Sequence, residues 1–259
     1  MMKKIYISLL MALFIHIGGH AQESEFSNAA SLAYGDANYV EAIDQYKQAL
    51  SIASAPTAEL YYNLGCAYYK NGDLADAILC FERAYRIDPA DSDIHFNLEL
   101  ASNQIVDKMD PVRKLFISKW LDSASHWFTL MGWMLTSIFT FGFFTIGLFL
   151  FLRNKRARVQ KIGLVASVVS LILFILSITL MHRLNNFIND DTEGILMSEV
   201  VTVKSSPDSS AQDIVVVHSG LKVVQQQELG GFSEVKLPDG TIGWIPSKSF
   251  EIINNFSER

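Results

Sequence analysis

The sequence predicts a multi-domain chain: an all-α solenoid of helical hairpins, a two-helix transmembrane hairpin and a small all-β barrel. Three observations carry this. Self-comparison at an offset of 34 aligns Tyr61-Tyr62-Asn63-Leu64-Gly65-Cys66-Ala67 with His95-Phe96-Asn97-Leu98-Glu99-Leu100-Ala101. Two uncharged apolar stretches, Trp127–Leu152 and Ile162–Met181, flank a loop holding Arg153, Lys155, Arg156, Arg158 and Lys161 and no acid. From Ile195 onward, short β-rich runs alternate with turn signals.

Half of the 259 residues are hydrophobic, but the excess sits in three blocks, so the soluble parts must be small modules. The first block is N-terminal. Lys3 and Lys4, the apolar run Ile5–Ile17 and Gly19-His20-Ala21 before Gln22 read as a secretory signal over residues 1–21. An uncleaved anchor is the rival reading, and both export residue 22 onward. Residues 22–110 carry 15 acids against 5 bases, and residues 195–259 carry 8 against 5. Neither part offers the basic face that nucleic acid requires.

Residues 22–110 form the repeat region. Tyr61, Leu64 and Tyr68, then Ala77, Phe81 and Ala84, follow helical spacing. Asn71-Gly72-Asp73 breaks the pair of helices and Asp88-Pro89 ends it. With Gly65 and Pro89 these residues fill the eight signature places of the motif, and the segment resembles a tetratricopeptide repeat. Gly65 and Ala77 let the two helices approach closely. An earlier copy spans about Glu25–Pro56 with Tyr34, Ala42, Tyr46 and Ala49, although Ser31 stands at its glycine place. A final helix, about Ser92–Met109, is expected to cap the stack. The resemblance implies a partner groove lined by Tyr62, Cys66, Tyr69 and Lys70. A packing role is the alternative for these four. The acidic balance favours a basic or neutral partner segment. Cys66 and Cys80 either bridge neighbouring helices or lie as buried free thiols.

The hairpin comprises a juxtamembrane amphipathic segment (111–126), a first span (127–152), a basic loop (153–161) and a second span (162–182). Cationic loops are retained in the cytoplasm, so both ends of the hairpin are expected on the opposite side. Arg113–Leu121 alternates cations with Leu115, Phe116, Ile117 and Trp120, as a helix on the membrane surface does. Neither span contains a charge, so the hairpin reads as an anchor rather than a transporter. Gly163/Ser167 and Ala166/Ser170 are small-residue pairs able to support close helix contact. His126 and His182 are both placed at the outer interface.

In the last module the runs are Glu199–Lys204, Ile214–His218, Lys222–Gln226, Phe232–Leu237, Ile242–Ile245 and Glu251–Ile253. Asp239-Gly240 between two of them is a hairpin signal, because glycine tolerates positive φ. Val201–Pro207, His218-Ser219-Gly220 and Leu237–Ile245, with Gly243-Trp244-Ile245 as the most specific part, resemble a bacterial SH3-like domain over 195–255. Phe232 stands where many members carry tryptophan. By that resemblance Phe232 and Trp244 mark the candidate surface, although a core or edge role is the commoner one for such a tryptophan.

No Gly-x-Ser-x-Gly, His-Glu-x-x-His, phosphate-binding glycine loop or Cys-x-x-Cys is present, so no enzyme, cofactor or metal site is expected. The order of the pieces resembles the Bat aerotolerance-operon proteins of Bacteroides-type bacteria. That resemblance implies a multi-pass inner-membrane scaffold with both soluble modules in the periplasm. Its implied partners are von Willebrand factor-type membrane proteins and, indirectly, a MoxR-type ATPase. A peptidoglycan-binding or envelope-stress-sensing protein is the alternative.

Overall fold

The computed structural model describes residues 23–110, 112 and 115–254, so the expected signal peptide and the cations Arg113 and Lys114 lie outside the described residues. The chain divides into two compact units, one formed by the segments up to Val112 and from Asp191, the other running from Arg113 to Asp190.

The first unit opens with helical repeats. Helix α1 covers 23–35, followed by α2 (Tyr39–Ile52), α3 (Ala58–Asn71), α4 (Leu74–Ile87) and α5 (Ser92–Ser102). Their ends follow from local chemistry. Thr57 Oγ1 caps α3 by accepting from the Leu60 N–H at 3.2 Å, and Asp91 caps α5 through the Asp93 and Ile94 amides. Gly72, at φ +97°, closes α3 in the left-handed conformation, with its own N–H and that of Asp73 donating to Tyr68 O. Inside the pair, a Cβ on Gly65 would lie 2.7 Å from the Phe81 ring, so only glycine admits that ring. Leu64, Ala67, Ala77 and Ala84 are buried around this contact.

The expected capping helix is shorter than its periodicity suggests. Ile105 and Met109 continue the apolar spacing of α5, but the chain leaves the helix at Ser102, and both side chains pack against the core of a β-sheet. Asp107 accepts from the His218 amide, and the Val112 N–H donates to Pro238 O at 3.0 Å. The sheet therefore captures the tail of the repeats.

That sheet has seven antiparallel strands, β1 (Glu193–Leu196), β2 (Val200–Lys204), β3 (Asp213–His218), β4 (Lys222–Leu229), β5 (Phe232–Lys236), β6 (Ile242–Pro246) and β7 (Phe250–Ile252), ordered β3-β2-β6-β5-β4-β1-β7. Edge strands β3 and β7 do not pair with each other, so hydrogen bonding leaves the sheet open. Val203, Val217, Val223, Val235 and Ile245 form its dry interior. Strand β1 went unread in the sequence, yet it lies between β4 and β7.

The second unit contains α6 (Phe116–Ser125), α7 (Leu130–Arg153) and α8 (Ala157–Ile188). Helices α7 and α8 are long and apolar enough to cross a membrane. The basic loop contracts to residues 154–156: no glycine or proline stops α8, and Arg158 and Lys161 ride on its first turns. The two helices meet at Gly147 and Gly163. A Cβ on either would fall within 2.8 Å of the other helix's backbone. Ser167 is buried beside them, whereas Ala166 is exposed. At the other end Trp133 Nε1–H donates to Ser125 O at 2.8 Å, and Arg183 pairs with Asp122. His126 stacks on Phe187 with ring centroids 4.9 Å apart, while His182 bonds Asn186.

Candidate partner-binding site

Tyr62, Cys66 and Tyr69 recur every three or four residues and share one face of α3. They are half-buried, and Lys70 at the end of the row is exposed. Both hydroxyls are held, one from α5 and one from the turn after it. Tyr62 Oη accepts from Asn97 Nδ2 at 3.0 Å, and Tyr69 Oη accepts from Gln104 Nε2. The Tyr62 ring also leans on Phe81 at 5.9 Å between centroids. Burial, reinforced by the neighbouring Cys66, pushes the Tyr62 phenol up to about 12. Burial likewise raises the Cys66 thiol. Both stay protonated near neutrality, so this face offers hydroxyl, thiol and aromatic surface with one cation at its end. Cys66 and Cys80 are both free thiols.

The two candidate residues of the sheet are placed differently. Phe232 starts β5 half-buried, paired with Leu229 and Pro246. Trp244 is only 8% exposed, and its cross-strand neighbours on β2 and β5 are Lys204 and Glu234. It presents little ring to a ligand.

Sequence reasoning missed an ionic network inside the first unit. Arg86, fully buried on α4, donates to Glu193 at 2.5 Å. Lys222 reaches Glu193 at 2.7 Å and Glu82 at 3.0 Å. Burial works to lower the Lys222 pKa, but Glu82 and Glu193 outweigh it and hold the ammonium above its usual range. One turn away, Arg83 Nη2 donates to Glu251 at 2.7 Å and its Nε to Ile253 O at 3.1 Å. The available signal in α4 was Leu79, Arg83 and Arg86 sharing one helix face, on the side opposite Phe81 and Ala84.

Among the described residues no group of three or more His, Cys, Asp or Glu side chains is placed to hold a metal ion. A family model described as Tetratricopeptide repeat matches residues 58–91, which span α3, α4 and the turn that follows. No curated protein matches the chain.

Proposed function

We propose that this protein is a non-enzymatic membrane scaffold that binds other proteins through its helical repeats. The observation that carries the reading is the tetratricopeptide match over 58–91, joined in one chain to two helices able to cross a membrane. In this reading the repeats form a short solenoid whose α3 face meets a partner segment. The sheet is a variant SH3-like module packed against the repeats, and α7 and α8 are the anchor.

The connection 154–156 and its flanking cations stay in the cytoplasm, and the repeats and sheet are periplasmic. A Bat-type complex fits this order of parts, with von Willebrand factor-type membrane proteins as direct partners and a MoxR-type ATPase acting through them. A cell-wall ligand would need an exposed aromatic on the sheet, and the burial of Trp244 weighs against it.

Affinity purification of the full chain in mild detergent should bring down integral membrane proteins. The variant Lys70→Glu, at the exposed end of the row, should weaken their recovery while keeping its own thermal unfolding profile. Recovery of the protein alone from several detergents would sink the scaffold reading. A reporter inserted after Arg156 tests topology separately, and activity on the outer side would reverse the orientation.

A further inference from the structure

A cavity of about 280 Å³ lies on another face of α3, away from Tyr62 and Tyr69, between α2, α3, α4 and the sheet. It has room for roughly nine waters at about 30 Å³ each, which suits one long side chain better than a cofactor. Leu50, Leu64 and Leu79 supply apolar wall, and the rings of Tyr61 and Tyr68 flank it. Cys80, buried, contributes to the floor, and Met197 lines it from the β1–β2 turn.

The charges in this lining are unequal in availability. Arg83 is committed: it pairs with Glu251, donates to Ile253 O and sits 5.7 Å from the Tyr61 ring centroid. Asp76 lines the cavity half-buried and enters no ion pair among the described residues. Burial first, then Asp73 and Glu251, raise its carboxyl above the usual range, while Lys47 opposes them. An entering anion meets that carboxylate and its acidic neighbours. A cation relieves them.

We propose that this cavity is a socket for a lysine side chain carried by a partner protein, with the ammonium on Asp76 and the aliphatic stem between Leu50, Leu64 and Leu79. A compact ammonium suits a single carboxylate beside an aromatic ring, whereas arginine's planar fork is matched by bidentate partners. Lysine stems are themselves apolar and lie against leucine surface at little cost. Exposed Lys47 on α2 is the internal competitor for the same carboxylate.

The test uses the full chain in lipid nanodiscs with ¹³C-methyl methionine, reading the Met197 signal. The probe is Nα-acetyl-lysine methylamide, compared with its norleucine and arginine counterparts. Saturable shifts of Met197 with the lysine probe alone are expected. Asp76→Asn should weaken binding about ten-fold or more, the loss expected for one charge-assisted hydrogen bond. Lys47→Ala should strengthen it. Equal shifts with norleucine, preference for arginine, or indifference to both substitutions would overturn the assignment. Since no partner protein is used, failure here leaves the scaffold reading standing, and failed co-purification leaves the socket standing.

Discussion

Helices α7 and α8 meet where Gly147 and Gly163 remove side chains altogether, whereas α4 meets the sheet through Arg83, Arg86, Glu193 and Lys222. In the proposed membrane reading the two contacts answer different solvents. If α7 and α8 lie in lipid, as proposed, apolar burial gives no net drive, and close backbone approach supplies the attraction. In the unit of repeats and sheet, the leucines and alanines of the repeats and the valines of the sheet already form dry interiors. There the polar network adds register, since a buried guanidinium tolerates only the geometry that satisfies it.

The largest effect should come from the network. Arg86→Ala leaves a void at a fully buried position and strips one of two cations from Glu193, and it should cost about 2–5 kcal/mol. Chemical denaturation of the full chain in micelles, followed through the aromatic signals of the repeats, measures it. Arg86→Met, which restores volume without charge, should recover a good part. If Arg86→Ala costs no more than a surface change, the network is ornamental and the contrast collapses.

Next comes the glycine contact. Gly163→Val places carbon within 2.7 Å of the Phe151 nitrogen, so the helices must part, at about 1–3 kcal/mol for overpacking. Cross-linking between cysteines introduced on α7 and α8 should fall, while the repeats keep their unfolding midpoint. A smaller loss, about 1 kcal/mol, is expected for Trp133→Phe, which removes the N–H donated to Ser125 O. Its readout is the same cross-linking assay at the other end of the pair.

The smallest change has the opposite sign. The Asp76 carboxyl is raised in the folded protein by burial, Asp73 and Glu251. Its ionised form therefore opposes folding at neutral pH, and the opposition fades as pH falls through the raised folded value. Asp76→Asn should raise Tm slightly near neutrality, and the difference from the parent should vanish on acidification. A variant less stable than the parent at pH 7 would show that Asp76 has a favourable partner.

Much of the repeat pair was legible because its packing is local: Gly65, Phe81 and Ala77 lie within one motif, and spacing alone brings them together. The apolar helices were legible for the same reason, although their ends were not. Thr129 starts α7 late, and nothing between Arg156 and Lys161 prevents α8 from beginning early. Strand β1 escaped because Glu193-Gly194-Ile195-Leu196 has no alternation and a glycine in its middle. Gly194 is there because Phe250 crosses it, leaving 2.6 Å for a Cβ. The Arg86–Glu193 pair spans 107 positions, and no local spacing announces a contact of that reach. Tyr62, Cys66 and Tyr69 could be placed on one face from periodicity, but not their ties to Asn97 and Gln104, which depend on where α5 stops.

The hydrogen bond from Arg83 to Ile253 joins positions 170 apart. At a synthesis rate of about 5–20 residues per second, α4 exists for roughly 10–30 s before that acceptor is made. The two long apolar helices are translated within this interval. A nascent chain thus holds its repeats with a cationic flank uncovered, and its longest-range contacts are sealed only when strand β7 arrives.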